Sequence, residues 1–359
     1  MTTSGALRSL VVEGTLISDQ ADAYVIAEVG HNHQGDIEKC KALFRGAKEC
    51  GVDAVKLQKR DNRTLYTRAM YDKPYDNENS FGATYGEHRE ALEFNREEYL
   101  ELQRYCRSIA ITLFATAFDI PSADFLAALD MPAYKIASGD LRTLPLLRHV
   151  ARIGKPMIVS TGGATMEDVV RAYDTIMPIN PQLSFLQCTA AYPAEAEQLH
   201  LNVVTTFRER FPELVIGLSD HENGIAMAVA AYVLGARIVE KHFTLNHTWK
   251  GTDHAFSLEP IGMRKLVRDL QRTRLALGSR KKCPLPDEVS PLRKMGKKLV
   301  ASRALPTGHV LGEADVAMRS PGDGLSPVHY DRVVGRTLLR ALAAEDDITF
   351  EVLDQGEAE

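Results

Sequence analysis

The sequence predicts an α/β fold, a (β/α)8 (TIM) barrel over residues 1–278 followed by a small β-rich domain. Short runs rich in Val, Ile, Leu and Ala alternate with amphipathic helical stretches through residue 278, and Gly- and Pro-punctuated β-like runs follow. Uninterrupted apolar runs are typical of parallel strands buried on both faces, and repeated β-then-α units favour a closed barrel. A doubly wound open sheet is the alternative that the same pattern leaves open.

The individual elements follow in chain order. The strand candidates are Tyr24–Val29, Asp53–Gln58, Ile111–Thr116, Ala133–Ala137, Pro156–Ser160, Leu183–Cys188, Leu214–Ser219 and Arg237–Phe243. The helix candidates, which carry apolar residues at helical spacing, are Ile37–Cys50, Glu97–Ser108, Leu144–Ile153, Met166–Ile176, Asn223–Leu234 and Ile261–Leu277.

One segment, residues 61–94, breaks the alternation. It is long, polar and aromatic, and it follows the second predicted strand. A loop in that position lies at the C-terminal face of a barrel, and loops of this length are commonly functional. We therefore expect it to help form the binding site.

A different composition begins at Ser279. Residues 279–296 are rich in Pro, Lys and Arg, which predicts a linker. Residues 297–359 form the predicted small domain, with β-like runs at Leu299–Ser302, His309–Leu311, Val316–Met318, Thr337–Ala341 and Ile348–Glu351.

Charge and composition exclude several classes of protein. With 43 Lys and Arg against 48 Asp and Glu, the chain lacks the positive field of a general nucleic-acid binder. No apolar run reaches the ~20 residues that a membrane helix needs, and the first eighteen residues make a poor signal peptide. Five widely spaced cysteines without a CxxC motif fit a reducing compartment, so we expect a cytoplasmic location.

Polar side chains occupy the predicted C-terminal strand ends, where barrels place their active sites. One set combines cations with hydroxyl donors, which suits a small substrate that carries phosphate and carboxylate groups. Its members are Lys56, Thr116, Lys135, Ser138, Ser160 and Ser219.

His221 and His242 end the seventh and eighth predicted strands. Two imidazoles from adjacent strands suit a divalent metal with open coordination positions. The carboxylates at the same face can handle protons or bind substrate hydroxyls, and they are Glu28, Asp140, Glu240 and Asp253.

Three functional readings compete at this point. A metal-dependent barrel amidohydrolase is suggested by the HxH motif at His31 and His33, although the fifth and sixth strands end in Ser and Gln rather than His. A metal-dependent aldolase fits the histidine pair and the anion-binding residues better. A carbohydrate-binding barrel without catalysis would not need histidines beside carboxylates.

The motifs at these strand ends resemble the sialic acid synthase family, which includes legionaminic and pseudaminic acid synthases. The matching strings are IAEVGHNHQG, AVKLQ, AYKIASGD, IVSTGG, LQCTAAYP, GLSDH, IVEKHFTL and KGTDHAFSLEP, in the family's order. The segment LVASRALPTGHVLGEADVAMRSPGDG resembles the family's C-terminal antifreeze-like (SAF, β-clip) domain. The resemblance therefore covers nearly the whole chain.

The resemblance implies an enzyme that condenses phosphoenolpyruvate with an N-acylated amino sugar and releases phosphate. It assigns phosphoenolpyruvate to the cation and hydroxyl set above, proton handling to Glu28 and Glu240, and the sugar or the attacking water to Asp253. It implies a divalent metal on His221 and His242, with Mn²⁺ favoured and Mg²⁺ or Co²⁺ as alternatives. It also implies a domain-swapped homodimer.

The chain departs from the family where the sugar is bound. Asp140 stands where many members have Glu, Ala190 where they have Asn, and Lys297 where the antifreeze-like domain has an Arg. N-acetylmannosamine and a diacetamido-trideoxyhexose both remain open as acceptors, as does a phosphoenolpyruvate–aldose synthase of the heptulosonate or octulosonate type. The residues expected to contact the sugar are Asn77, Asn79, Asp140, Tyr192 and Lys297.

Overall fold

Eight parallel strands close a barrel, as the sequence predicts. The computed structural model describes residues 8–355. The strands neighbour one another in chain order, and the last pairs with the first. They are β3 (Tyr24–Gly30), β4 (Ala54–Lys59), β5 (Thr112–Ala117), β6 (Tyr134–Ile136), β7 (Met157–Ser160), β8 (Leu183–Cys188), β9 (Val215–Asp220) and β10 (Ile238–His242).

The strands alternate between two apolar environments. On β3, Val25 and Ala27 pack outward in the same cluster as Phe44 of the first helix, whereas Tyr24 and Ile26 belong to the cluster inside the barrel. Because side chains alternate in a strand, the next inward position is Glu28. At the C-terminal ends of the other strands, the inward-facing residue likewise changes from an apolar to a polar one.

Helices surround the barrel, and their ends are set by local chemistry. The first, Ile37–Glu49, begins where Asp36 accepts hydrogen bonds from the backbone N–H groups of Glu38 and Lys39. The helices of the barrel unit are α1 (Ile37–Glu49), α2 (Asn62–Leu65), α3 (Arg68–Tyr71), α4 (Tyr85–Glu90), α5 (Arg96–Ser108), α6 (Ile120–Ala127), α7 (Leu144–Ile153), α8 (Met166–Ile176), α9 (Val203–Arg210), α10 (Ala226–Val233) and α11 (Pro260–Leu277), whereas α12 (Val289–Met295) belongs to the C-terminal unit.

A hairpin that the sequence pattern did not reveal precedes the barrel. It comprises β1 (Ser9–Val12) and β2 (Thr15–Ser18), joined at Glu13 and Gly14, which both have positive φ. Leu10, Val12 and Ile17 join the apolar cluster inside the barrel. Of the stretch considered as a signal peptide, residues 1–7 lie outside the described residues.

The long segment 61–94 folds into short helices. It contains α2, α3 and α4, and α4 begins with a capping box between Thr84 and Glu87. Tyr75, Tyr85 and His88 pack their rings against one another. The segment thus has an aromatic core of its own at the C-terminal side of the second barrel strand.

The C-terminal unit, Ser279–Glu359, is compact in itself, and residues 356–359 of it are not described. The predicted linker contains α12, so it is not extended throughout. Strands β11 (Lys298–Ala301) and β12 (Val316–Arg319) pair antiparallel. The other three predicted β-like runs are not strands. Val310 forms a single bridge with Thr337 and Leu338 one with Leu353, whereas the run Ile348–Glu351 leads into a short 3-10 helix, Phe350–Val352.

Within residues 8–355, none of the helices combines the length and the apolar character that crossing a bilayer requires.

Candidate active site

A cavity of about 490 Å³ opens at the C-terminal end of the barrel. This volume is typical of a site for a small molecule. The cavity is lined by most of the residues that the sequence singled out, namely Glu28, Lys56, Thr116, Lys135, Ser138, Ser160, Tyr192, Ser219, His221, Glu240, His242 and Asp253.

Lys56 lies at the centre of a buried polar network. Its Nζ is 2.5 Å from Oε2 of Glu28 and donates a hydrogen bond of 2.7 Å to Oγ1 of Thr116. Gln58 donates from Nε2 to Oε1 of the same glutamate at 2.7 Å. Strand register explains the contact with Glu28, because Glu28 is paired with Lys56. Thr116 is paired with Gln58, two positions beyond Lys56, so the long lysine side chain reaches it along the strand direction.

Lys135 forms the second cationic centre. Its Nζ donates to Oγ of Ser160 at 2.6 Å and lies 3.8 Å from Oε1 of Glu240. The same carboxylate oxygen is 3.6 Å from Nζ of Lys56, so Glu240 lies between the two lysines. The site therefore holds two ammonium groups that a phosphate or carboxylate could engage from the cavity.

Burial and neighbouring charges shift the pKa values of these groups in different directions. Burial lowers the pKa of Lys135, against the opposing effect of Glu240. Burial raises the pKa of Glu28, although Lys56 opposes it. Burial also disfavours the charge on Glu240, but Lys135 and Lys56 outweigh it and lower the pKa of Glu240.

The two predicted metal ligands come together at one side of the cavity. The imidazole centroids of His221 and His242 are 5.4 Å apart. Nδ1 of His221 lies 2.7 Å from the carbonyl oxygen of Thr189, which places the proton on Nδ1 and the lone pair on Nε2. Nδ1 of His242 is buried without a hydrogen-bond partner and lies 3.7 Å from Oδ2 of Asp253.

These two imidazoles fit a divalent metal that keeps open positions. Among the described residues, no group of three or more His, Cys, Asp or Glu is arranged to hold a metal by itself. A bound metal would thus have two imidazole nitrogens as protein ligands, and its remaining positions would be filled by water or substrate. The unpartnered Nδ1 of His242 and the buried, unpartnered Oε2 of Glu240 are the atoms for which a bound group would supply a partner.

Aromatic rings enclose the histidine pair. The ring of Tyr192 lies 4.1 Å from that of His221, and the ring of Phe256 lies 4.9 Å from that of His242, centroid to centroid. Tyr192 is itself more than half exposed. An exposed aromatic face beside polar groups suits a sugar, whose ring has apolar and hydroxyl-bearing faces.

Three of the residues expected to contact the sugar, Asn77, Asn79 and Asp140, lie outside the cavity wall. Oδ1 of Asn77 accepts from the backbone N–H of Asn79, and Oδ1 of Asn79 accepts from that of Gly251, so both amides stabilise loops. Asp140 accepts a hydrogen bond from Thr143, next to the wall residue Gly139, and burial raises its pKa to about 6. Lys297 is exposed in the C-terminal unit.

The HxH motif does not form a metal pair, so the amidohydrolase hypothesis loses its basis. His33 is buried, stacks on Phe94, and accepts the backbone N–H of Gly35 at Nδ1. His31 lies between two arginine side chains. Each ring is thus engaged in packing or hydrogen bonding around the first strand.

Sequence reasoning missed several residues of the cavity wall, namely Arg60, Arg89, Phe118 and Cys188. Strand alternation could have found Cys188, because it follows the inward-facing Leu186 by two positions. Nothing in the local pattern marks Arg60 or Arg89 as wall residues.

Comparison with known proteins places the chain in a family. Residues 43–282 match the NeuB family, and residues 298–351 match the SAF domain. N-acetylneuraminate-9-phosphate synthase from Homo sapiens is 40% identical over 343 residues, which cover 95% of each chain.

A bacterial relative and a solved structure indicate the same family. N,N'-diacetyllegionaminic acid synthase from Legionella pneumophila is 33% identical, covering 92% of this chain and 94% of its own. The N-acetylneuraminic acid (sialic acid) synthetase from Leptospira borgpetersenii has a TM-score of 0.70 at 27% identity, covering 80% of this chain and 96% of that one. The chain therefore belongs to the NeuB family of sugar-acid synthases and carries a C-terminal SAF domain.

Proposed function

We propose that the protein condenses phosphoenolpyruvate with an N-acylated amino sugar to give a nonulosonic acid and inorganic phosphate. The observation that carries the proposal is the joint placement of two buried lysines, their hydroxyl partners and a histidine pair in one cavity. That set matches a substrate with two anionic groups next to a carbonyl acceptor. The activities for which the relatives are named support the same chemistry.

In the proposed reaction, C3 of phosphoenolpyruvate attacks the aldehyde carbon of the open-chain sugar. Water adds at C2, and phosphate leaves with cleavage of its bond to that carbon. Lys56 and Lys135, with Thr116, Ser138, Ser160 and Ser219, hold the phosphate and carboxylate of phosphoenolpyruvate in place.

Proton transfers fall to carboxylates that face the reacting carbons. Glu28 and Glu240 are the proposed proton-handling groups, and both are held by lysine contacts. Asp253, beside His242, orients the sugar hydroxyls or the attacking water. Tyr192 provides an apolar face for the sugar.

A divalent metal, with Mn²⁺ favoured and Mg²⁺ or Co²⁺ as alternatives, is proposed to bind His221 and His242 and to supply Lewis acidity for the aldehyde oxygen.

We expect His242→Ala to lose bound metal and nearly all turnover while it keeps the native fold. Metal content by elemental analysis, activity and a thermal melt measure the three effects. The surface variant His149→Ala, whose imidazole pairs with Asp124, is the matched control. Full activity of chelator-treated, metal-free protein would refute the proposed metal requirement.

The function is tested with phosphoenolpyruvate and a panel of N-acyl hexosamines, scored by phosphate release and by product mass. The proposal requires a product equal in mass to sugar plus phosphoenolpyruvate plus water minus phosphoric acid. A heptulosonate- or octulosonate-type synthase would instead use sugar phosphates that lack the N-acyl group. Turnover with those aldose phosphates alone would contradict the proposal.

A further inference from the structure

A buried ion pair lies directly behind the two histidines, on the outward-facing side of strands β9 and β10. Nζ of Lys241 is 2.9 Å from Oδ2 of Asp220, and the two side chains are 1% and 0% exposed. The strand register pairs Lys241 with Asp220, one position before His242 and His221 respectively. Val239, the preceding outward-facing residue of β10, belongs to the apolar layer between the strands and the helices. The pair is therefore enclosed in an apolar environment.

The same pair occupies both backbone polar groups of Glu222, the residue after His221. Oδ1 of Asp220 accepts the backbone N–H of Glu222 at 3.0 Å, and Nζ of Lys241 donates to the backbone carbonyl oxygen of Glu222. The carbonyl oxygen of His221 accepts the N–H of Ala194 at 3.1 Å. Because backbone polar groups away from water need partners, these contacts set the path of the chain through residues 220–222.

A fully buried ion pair adds little net stability, because the desolvation of both charges offsets their attraction. An apolar pair of similar volume would fill the same space. It could not, however, accept the N–H of Glu222 and donate to its carbonyl oxygen. The backbone geometry that the pair imposes therefore explains its presence better than stability does.

We infer that Asp220 and Lys241 are positioning residues that hold His221 at the distance from His242 that a divalent metal requires. This inference rests on the proposed function, in which the two histidines bind the metal. His242 is fixed within strand β10, next to Lys241, whereas His221 lies just beyond the end of β9. The contacts of Lys241 tie this end of β9 to β10. Replacing residues that orient metal ligands typically weakens metal binding by ~10- to 100-fold.

The test measures the binding of Mn²⁺ alone to the metal-free, full-length chain by calorimetry, in two double variants that both remove the charges of the pair. Leu and Asn have the same branching as Asp, but only Asn can still accept the N–H of Glu222. We expect Asp220→Leu/Lys241→Met to raise the Kd for Mn²⁺ by about tenfold or more. Asp220→Asn/Lys241→Met should bind Mn²⁺ more tightly than that variant and more weakly than wild type. The d–d absorption of bound Co²⁺, which reports ligand geometry, should depart from wild type in the same order.

Asp19→Asn/Arg208→Met is the matched control, because it removes a bidentate ion pair of the barrel unit, with contacts of 2.7 and 2.8 Å, far from the histidines along β10. Arg208 also donates to the carbonyl oxygen of Gly235, which precedes the start of β10. The control should keep the wild-type Kd and Co²⁺ spectrum. Thermal melts check that each variant folds, and if the Leu variant does not, the Asn variant is compared with wild type and the control instead.

Unchanged Mn²⁺ affinity in the folded Leu variant, or equal weakening in the control, would overturn the inference and leave the proposed metal intact. An Asn variant that binds Mn²⁺ no more tightly than the Leu variant would contradict the role given to Asp220. No binding of Mn²⁺, Co²⁺ or Mg²⁺ by wild type would overturn the proposed metal together with the inference.

Discussion

Each of the two cavity lysines is buried together with a carboxylate that compensates its charge. Lys56 contacts Glu28 and Lys135 contacts Glu240, and each lysine also donates to a hydroxyl. Removing one member of such a pair leaves its partner less compensated. The choice of substitution at these positions must therefore separate an effect on folding from an effect on substrate binding.

A substitution at Lys135 separates substrate binding from folding better than one at Lys56, and Lys135→Met is the variant we choose. Glu240 keeps its contact with Lys56, so the remaining carboxylate is still paired. We expect the KM for phosphoenolpyruvate to rise by ~10- to 100-fold, the effect of losing one charge-assisted contact, with a much smaller change for the sugar. Steady-state kinetics with each substrate varied in turn measure the two values. Lys155→Met, which removes a surface cation paired with Asp130, is the control. A selective effect on the sugar would contradict the assignment.

At the scale of elements, the segment 61–94 depends on close packing around one glycine. A Cβ added at Gly86 would lie 2.4 Å from three ring atoms of Tyr71. That distance is far shorter than a non-bonded carbon contact allows, so α3 and α4 could not keep their present packing. Arg89 lies on the same helix as Gly86.

We expect Gly86→Ala to loosen this segment and raise the KM for the sugar without a comparable change for phosphoenolpyruvate. Proteolysis within residues 61–94 and sugar kinetics report the two effects. The double variant Gly86→Ala/Tyr71→Ala removes the clash, so the two substitutions should be non-additive. Purely additive effects of the two substitutions on proteolysis and on the KM for the sugar would show that the clash with Tyr71 does not cause the loosening.

In the C-terminal unit, one carboxylate organises a loop. Oδ1 of Asp315 accepts two hydrogen bonds from Arg303, and Oδ2 contacts His309 at 2.7 Å and the N–H of Gly312 at 2.9 Å. The contact with His309 is the main cause that lowers the pKa of Asp315 to about 2. Since this value is below that of an unfolded aspartate, ~3.9, the stabilisation is complete above pH ~4 and is lost as the pH falls towards 2.

Asp315→Asn should therefore destabilise the C-terminal unit near neutral pH, and the difference from wild type should shrink between pH 4 and pH 2. Hydrogen exchange of residues 298–354 in the full-length chain, measured across this range, gives the local opening free energy. A difference that stays constant with pH would mean that the charge of Asp315 is not responsible.

For the whole molecule, we propose a domain-swapped homodimer in which Lys297 of each chain serves the partner's barrel. The C-terminal unit has a small apolar core, formed by residues such as Leu299, Leu305 and Leu338, and small cores give limited stability alone. The second reason is that Lys297 stands where the antifreeze-like domain of the family has an Arg that contacts the sugar. Lys lacks the planar fork of Arg, so we expect a looser contact.

Mixing two inactive variants tests the swap. Provided that Lys297→Ala by itself removes most of the activity, His242→Ala and Lys297→Ala chains, co-expressed with different tags and purified as mixed dimers, should regain about one working site per dimer. Co-expressed His242→Ala and Lys135→Met chains, both altered in the barrel, should regain none. A fully active monomer by light scattering and assay would contradict the arrangement, as would rescue in the control pair.

The sequence by itself determined the barrel and the residues at its strand ends. The reason is local: apolar runs mark buried strands, and alternation within each strand fixes which side chains face inward, as for Tyr24, Ile26 and Glu28. The cations, hydroxyls and histidines that line the cavity follow from that rule. The family motifs point to the same positions.

Only the tertiary structure decided which of these groups meet and what else joins them. Register places Lys56 against Glu28, and the path of the segment 61–94 brings Arg89 to His31 and Arg60, whereas Asn77 and Asn79 turn to loop contacts. The β1–β2 hairpin likewise joins the barrel interior through Leu10 and Val12. These placements depend on contacts between residues far apart in the chain, which no local pattern encodes.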